Sequence, residues 1–248
     1  SASNNQVFID FLAQLRRYYL DRECSPAFHS VILAGVYDIK NLKLKIRSDD
    51  EQQYNSPWNI AARFSMDMNF SVGQIAQMLQ EYEDDRNTGM KVEEVAGSIY
   101  EYTSGYPYLV SAICKFLDEE VPEREGFDND ESVWSKAGIE EAVKMLLNEN
   151  IPLFGSMVRQ MDMYPELKNL MELILYEGQK IPFSPDTRPI NMGIMFGFLK
   201  EKDGQVVIAN RIFEMRMLNL FMAEESMASD VFRRGVRDRS QFIQKVCT

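Results

Sequence analysis

Apolar residues near the start of the chain recur at helical spacing and predict an amphipathic helix over roughly 6–22. The stripe consists of Phe8, Phe11, Leu12, Leu15 and Tyr19. Polar side chains occupy the other faces, so this helix has one face to bury and one to present to water.

Two short runs after this helix predict β-strands. The first run, His29 to Val36, follows the break at Pro26 and is apolar and β-branched, which is typical of a parallel strand buried on both faces. The second run, residues 64–70, alternates apolar with polar side chains and indicates a strand at or near a sheet edge. A helix followed by a buried strand favours an α/β arrangement for residues 1–70.

From Ser71, a typical N-cap, the pattern is helical. Four apolar stripes at helical spacing predict four helices, and these stripes are Val72–Leu79, Val92–Ile99, Leu109–Leu117 and Ile139–Leu146. The acidic, glycine-containing stretch 122–130 indicates a surface loop, and Asn148 to Pro152 indicates a boundary. Residues 71–150 are therefore predicted to form a small helical bundle.

Beyond residue 150, the pattern changes to helix, helix and hairpin. A helical stripe runs from Leu167 to Leu175 and is closed by Gly178, and an apolar helix is predicted near 189–199. Asp203-Gly204 then separates two short runs, 198–202 and 205–208, which is a strong signal for a β-hairpin. A last apolar helix contains Ile212 and Phe221. This order is that of a winged-helix domain, predicted for 151–224.

The composition is that of a globular chain with a sizeable core. Of its 248 residues, 45% are hydrophobic and 26% are charged, and the apolar runs fall far short of the roughly 20 residues of a membrane span. The first residues lack the pattern of a signal peptide. Three widely spaced cysteines, Cys24, Cys114 and Cys247, argue against a disulfide framework or a zinc site. We therefore predict a cytoplasmic protein without a membrane partner.

The net charge of −11 disfavours nucleic acid as a partner unless a local basic patch binds it. The predicted recognition stretch, 183–199, carries only Arg188 and Asp186 as charged residues, which favours packing against protein over reading DNA. Residues 225–248 are predicted to form a basic tail or linker. Their basic side chains are Arg233, Arg234, Arg237, Arg239 and Lys245.

Catalytic motifs are missing from the chain. No glycine begins a GxxxxGK[ST] phosphate-binding loop, and no apolar strand ends in a pair of acidic residues that would hold magnesium. The single histidine, His29, opens a predicted strand and is interpreted as structural. The acidic run 81–85 ends a helix and is interpreted as a solvated face. No metal site is predicted.

Four blocks of sequence resemble successive parts of bacterial AAA-like, STAND-type P-loop ATPases. They are FIDFLAQLR at 8–16, SVILAGVYDIKNL at 30–42, NSPWNIAARF at 55–64 and SGYPYLV at 104–110. The resemblance covers most of 1–120. It implies that the chain is the C-terminal part of an ATP-binding molecular switch. The parts would be an α/β remnant of the P-loop core at 1–70, a helical lid at 71–150 and the winged helix. The whole chain would be helix-dominated.

The same resemblance implies that the chain begins just after the Walker B strand, with the Walker A loop farther upstream. ATP and magnesium are then expected for the full-length protein and not for this chain alone, which is not expected to hydrolyse ATP. The partner is the missing N-terminal P-loop half. In relatives, a nuclease-like domain of the PD-(D/E)XK class often follows such a tail, but its acidic and lysine core is not in this sequence.

Candidate site residues follow from the resemblance and from local chemistry. Tyr37 and Asp38 come at the carboxyl end of the first predicted strand, where they would sense the γ-phosphate or its water. Asp38 starting a turn is an equally good interpretation. Asn59 and Arg63 precede the second predicted strand and would face the nucleotide or a neighbouring subunit, with Arg63 neutralising transition-state charge. Surface solvation is the alternative for Arg63.

Gly105-Tyr106-Pro107 is similar to the GxP element of the lid, which the resemblance places near the adenine or ribose. Gly permits a positive φ at the end of one helix, and Pro suits the first turn of the next. Helix punctuation alone explains both residues equally well.

Two hypotheses of function remain. In the first, the chain is the lid and winged-helix part of an ATP-driven switch, in which the lid moves against the winged helix. In the second, it is a non-enzymatic winged-helix module that binds protein or DNA. Because residues 1–70 would form an incomplete sheet with an exposed edge, we also expect self-association through that region or rearrangement of its strand.

Overall fold

The computed structural model describes residues 2–26, 28–32 and 68–228 of the chain. The chain divides into two units, Ser1–Met66 and Asp67–Thr248. In the first unit, helix α1 spans Ala2–Leu20, so the predicted N-terminal helix is confirmed with an earlier start. Within its predicted apolar stripe, Leu12 and Leu15 are buried, whereas Phe11 and Tyr19 are exposed.

The two predicted strands of residues 1–70 are not strands where the structure describes them. Residues 28–32 adopt no strand, and Ile32 is 85% exposed instead of buried. Residues 68–70 likewise adopt none. A strand requires a partner for its backbone groups, and within the described residues no partner pairs with either segment. The remaining parts, 33–36 and 64–67, lie outside the described residues, and the α/β core stays a prediction.

The second unit begins with the predicted helices. The helices are α2 at Val72–Arg86, α3 at Val92–Thr103, α4 at Pro107–Glu119, α5 at Asp130–Val133 and α6 at Lys136–Asn148. A 3-10 turn at Val121–Glu123 lies within the predicted loop region. The four predicted helices are thus confirmed, and the short α5 is an addition. The start of α2 has a capping box, because Gln74 Oε1 accepts the Ser71 N–H at 2.8 Å while Ser71 Oγ accepts the Gln74 N–H at 3.3 Å.

The C-terminal part contains helices, a small sheet and a long last helix. Its elements are α7 at Pro152–Met163, α8 at Pro165–Tyr176, β1 at Ile181–Pro182, α9 at Arg188–Met195, β2 at Leu199–Lys202, β3 at Gln205–Ile208 and α10 at Arg211–Ala228. The strands pair antiparallel in the order β1-β3-β2, with Ile181 opposite Val206 and Leu199 opposite Ile208. Helix α7 and strand β1 are absent from the sequence prediction.

The predicted hairpin between β2 and β3 is confirmed, together with its turn. Asp203 and Gly204 have φ values of 53° and 74°. Two successive positive φ angles define the type I′ turn, whose twist matches that of the flanking strands. Glu201 Oε1 also accepts the N–H of Gly204 at 2.7 Å, which holds the turn against β2.

A single hydrophobic core extends through the second unit, from Ile75 in α2 to Phe221 in α10. Its largest fully buried side chains come from both parts of the unit and include Ile99, Phe154 and Phe213. Burial of apolar area is the main stabilising contribution to such a fold. The described residues are therefore helix-dominated, with one small three-stranded sheet. None of the described helices has the length and hydropathy that a membrane-spanning helix requires.

Candidate functional site

The corner between α3 and α4 contains the GxP residues predicted as a site. Helix α3 ends at Thr103, and Ser104 and Gly105 both have positive φ, at 48° and 76°. The Thr103 hydroxyl donates to the Ile99 carbonyl at 2.8 Å and accepts the Gly105 N–H at 3.1 Å. Pro107 then occupies the first turn of α4. Local hydrogen bonds thus fix the path of the backbone through the corner.

Gly105 also contacts the backbone that leads into α2. The Phe70 N–H donates to the Gly105 carbonyl at 2.8 Å. A Cβ atom on Gly105 would lie 1.9 Å from the Phe70 carbonyl oxygen, far inside van der Waals contact. The position therefore requires glycine for two independent reasons, its positive φ and this close approach.

The C-terminal part of the unit packs on the other side of the corner. Lys200 Nζ, on β2, donates to the Ser104 hydroxyl at 3.1 Å. The Tyr106 ring meets the Phe213 ring of α10 edge to face, with 5.6 Å between centroids. The corner therefore joins three segments of chain, which are the entry to α2, the hairpin and the last helix.

A surface ion pair extends this contact. Arg211 Nη1 lies 3.3 Å from Glu101 Oε1, and its guanidinium lies 4.9 Å from the centre of the Tyr102 ring. The two charged side chains are 50% and 61% exposed. Water screens such a pair, so it contributes at most about 1 kcal/mol. The second contact between the corner and α10 is the packing of the buried Phe213 ring on Tyr106, which removes apolar area from water.

Lys200 is the electrostatically unusual residue of the site. Burial lowers its pKa, and the positive charge of Lys202 lowers it further. In the described part of the chain, no carboxylate lies within ion-pair distance of its ammonium group, so the hydroxyl of Ser104 is its polar partner.

A serine hydroxyl beside a lysine amine is also a pairing used in nucleophilic catalysis. Such catalysis needs free N–H groups to stabilise an oxyanion. Here the Ser104 N–H donates to the Tyr100 carbonyl at 2.7 Å, and the Tyr106 N–H to the Thr103 carbonyl at 3.0 Å. The Gly105 N–H is bonded to Thr103 as well. The N–H groups of Ser104, Gly105 and Tyr106 are thus already bonded within the corner, and the pair of Ser104 and Lys200 joins two parts of the fold.

The structure describes only some of the predicted site residues. Gly105, Tyr106 and Pro107 lie together in the corner, and the last two are half-buried. The sensor candidates Tyr37 and Asp38, together with Asn59 and Arg63, lie outside the described residues and stay predictions. Within the described ranges, no group of three or more His, Cys, Asp or Glu side chains is placed to hold a metal ion.

Sequence reasoning missed the partners of the corner, which are Phe70, Ser104, Lys200 and Phe213. Of these four, Ser104 could have been found from the sequence, because it directly precedes Gly105 at the end of a predicted helix. The other three are distant in sequence.

No protein-family model matches the sequence, and no curated protein or solved structure matches it either. The resemblance to AAA-like ATPases therefore rests on the four sequence blocks alone.

Proposed function

We propose that this chain is the C-terminal part of an AAA-like, ATP-binding molecular switch and that it does not hydrolyse ATP by itself. The observation that carries the proposal is the corner at Gly105. Its glycine meets a double steric requirement, its proline begins a helix, and its flanking residues contact both the entry to α2 and the C-terminal part. These connections would let a GxP element transmit a change of nucleotide state to the rest of the unit.

The nucleotide enters this proposal through the upstream half. The sequence lacks a phosphate-binding loop, so the missing half would supply both that loop and the magnesium site. No step of hydrolysis is assigned to residues of this chain. In the complete protein, the half-buried Tyr106 and Pro107 would border the adenine or ribose.

The contacts of the corner support a mechanical role for 71–228. A displacement of Ser104 would pull on Lys200, and a displacement of Tyr106 would press on Phe213. Both partners belong to the predicted winged helix, whose helix, strand, helix and hairpin order supports that assignment. The winged helix would thus respond to what binds at the corner.

Isothermal titration calorimetry with ATP and magnesium tests the proposal. We expect no binding to this chain and measurable binding to a chain extended upstream through a Walker A loop. Arg63→Gln in the extended chain tests the role of this arginine. If Arg63 contacts the nucleotide, the substitution should lower the affinity for ATP. If Arg63 is a solvated surface residue, the affinity should stay unchanged. An extended chain that also fails to bind nucleotide would refute the switch.

The second candidate is a non-enzymatic winged-helix module, and the ion pairs of two of its arginines favour protein over DNA as its partner. Arg188 Nε lies 3.5 Å from Glu166 Oε1, and Arg211 is paired with Glu101. The carboxylate beside each arginine would repel the DNA phosphate that the arginine would need to bind. A salt-dependent mobility shift with duplex DNA would overturn this preference, and the absence of a shift would support it.

A further inference from the structure

Helices α8 and α10 border a cleft of about 590 Å³ that is remote in sequence from the Gly105 corner. Its lining combines aromatic rings with carboxylates, and the residues are Glu172, Tyr176, Phe221, Glu224 and Glu225. Phe221 is buried, whereas Tyr176 is 46% exposed, with 6.2 Å between the two ring centroids. Met222, the residue after Phe221 on α10, is 53% exposed. We call this surface the acidic cleft.

The carboxylates of the acidic cleft are only partly neutralised. Lys168 Nζ lies 2.6 Å from Glu224 Oε2 and stands 5.6 Å from the centre of the Phe221 ring. Among the described residues, no cation lies within ion-pair distance of Glu172 or Glu225. Together with burial, the nearby negative charges raise the pKa of Tyr176. The position of Lys168 shows the chemistry that this surface accepts, a cation held by a carboxylate above an aromatic ring.

A ligand that fits the acidic cleft therefore carries positive charge together with apolar groups. Arginine suits such a place, because its planar guanidinium binds carboxylates through two hydrogen bonds and stacks on aromatic rings. A peptide segment with several arginines and aromatic residues meets these requirements.

The last twenty residues of this chain, 229–248, have that composition. They contain five basic and two acidic residues together with Phe232 and Phe242. They follow α10 directly, and the end of α10 lies only about 10 Å along the helix axis from Phe221. A segment of that length can span up to about 66 Å, so it has ample reach. Tethering also gives it an effective concentration on the order of millimolar.

We propose that the basic segment 232–245 binds the acidic cleft of its own chain. Its arginines would pair with Glu172 and Glu225, and its phenylalanines would cover the exposed parts of Tyr176 and Met222. The segment would then be withheld from nucleic acid, and α10 would be shielded from other partners. This proposal is independent of the ATP switch, because it uses neither the corner nor a nucleotide.

Paramagnetic relaxation measured by NMR on the full chain tests the proposal. A nitroxide is attached to Cys247 in a Cys24→Ser background. Cys114 reacts far more slowly, since burial raises the pKa of its thiol to about 12 and leaves very little thiolate at neutral pH. We expect the amide signals of the residues lining the acidic cleft to broaden at low salt. The broadening should weaken toward 1 M salt, where the Debye length falls from about 10 Å to about 3 Å.

Two pairs of variants make the test specific. Glu172→Gln with Glu225→Gln removes the unpaired charges of the cleft and should reduce the broadening severalfold. Glu81→Gln with Glu140→Gln makes the same change of charge on exposed faces of α2 and α6 and should leave it unchanged. A synthetic peptide of sequence 229–248, added in excess to the nitroxide-labelled chain, should compete with the tethered segment and reduce the broadening, whether or not the first pair folds.

Three outcomes would overturn the proposal. The first is the absence of broadening at the cleft in the labelled chain. The second is broadening that neither the cleft variants nor the peptide reduces. The third concerns a mixture of two kinds of chain, one isotope-labelled without a nitroxide and the other unlabelled with a nitroxide. Equally strong broadening in this mixture would show that the occupant of the cleft is a second copy.

Discussion

Gly105 meets two requirements that no other amino acid satisfies together, and replacing it with alanine tests both. A positive φ of 76° costs an L residue about 1–2 kcal/mol. The clash of the new Cβ with the Phe70 carbonyl adds an overpacking cost of about 1–3 kcal/mol. We therefore expect Gly105→Ala to lower the free energy of unfolding in urea by about 2–5 kcal/mol.

Gly97 provides the matched control for this substitution. It lies within α3, and a Cβ there would meet no atom within 4 Å. Alanine is favoured over glycine in a helix, so Gly97→Ala should raise the free energy of unfolding by up to about 1 kcal/mol. If both variants shift stability in the same direction and by similar amounts, the special role of Gly105 is wrong.

Glu83 gives the fold a pH dependence that a single substitution can isolate. Its carboxylate accepts the N–H groups of Thr88 at 3.0 Å and Gly89 at 2.8 Å, as well as the Thr88 hydroxyl. The hydrogen bond from the Thr88 hydroxyl is the largest cause that lowers the pKa of Glu83 below 4.5. A lowered pKa means stability that is present above pH 4.5 and is lost as the pH falls through the folded-state value.

We therefore expect Glu83→Gln to melt at a lower temperature than the unmodified protein at pH 7. In acid, the two melting temperatures should converge. Thermal unfolding between pH 7 and pH 3 measures the effect. Glu81→Gln, on an exposed position of the same helix, should melt like the unmodified protein throughout. If the melting temperatures of Glu83→Gln and the unmodified protein differ as much at pH 3 as at pH 7, the ionised carboxylate of Glu83 is not the cause of the difference.

At the level of elements, patterns within a few residues were predictable from the sequence. The apolar stripes of α2, α3, α4 and α6, the capping residue Ser71 and the Asp203-Gly204 turn are local signals, and all of them are confirmed. Helix α7 was missed although its buried residues Phe154, Met157 and Met161 stand at helical spacing. Strand β1 was missed for a different reason, because two residues show no periodicity and depend on pairing with β3.

In the candidate site, too, the residues with a local sequence signal were predicted and those defined by distant contacts were not. Gly105 and Pro107 were found because helix punctuation is a local signal. Lys200 was missed because its partner Ser104 is 96 positions away. Contacts of that kind are set by how the helices pack, which no short motif encodes. A basic residue on a strand gives no sign that its ammonium will be half-buried against a serine.

Arg216 joins three helices, and its contacts support a prediction at the scale of elements. One of its guanidinium nitrogens donates to the Leu147 carbonyl near the end of α6, and the guanidinium lies 4.8 Å from the centre of the Phe154 ring of α7. A hydrogen bond to a charged group contributes about 1.5–3 kcal/mol, and the ring contact adds about 0.5–1 kcal/mol.

We therefore expect Arg216→Gln to lower the free energy of unfolding by about 2–4 kcal/mol, measured by urea unfolding. Arg159→Gln removes the same charge from an exposed position on α7 and should change stability by less than about 0.5 kcal/mol. Equal effects of the two substitutions would mean that net charge, and not the contact of Arg216, determines the result.

On the scale of the whole molecule, the shared core limits how the proposed switch can move. The helical bundle and the C-terminal part bury their apolar faces against each other. A motion of the lid against the winged helix would open that core and expose apolar side chains to water. We therefore expect these two parts to move together, and any change of arrangement to occur outside the second unit.

Native-state hydrogen exchange tests whether the second unit has one core. Ile113 in α4 is fully buried, and shortening it with Ile113→Val should cost about 1 kcal/mol. If 68–228 unfolds as one cooperative unit, the most protected amides of α4 and α10 should both exchange about fivefold faster, because both depend on the same global unfolding. Ile194→Val, on a 36% exposed position of α9, should change neither rate measurably. Faster exchange confined to 72–148 would show instead that the bundle unfolds separately, and the lid could then move against the winged helix without opening a common core.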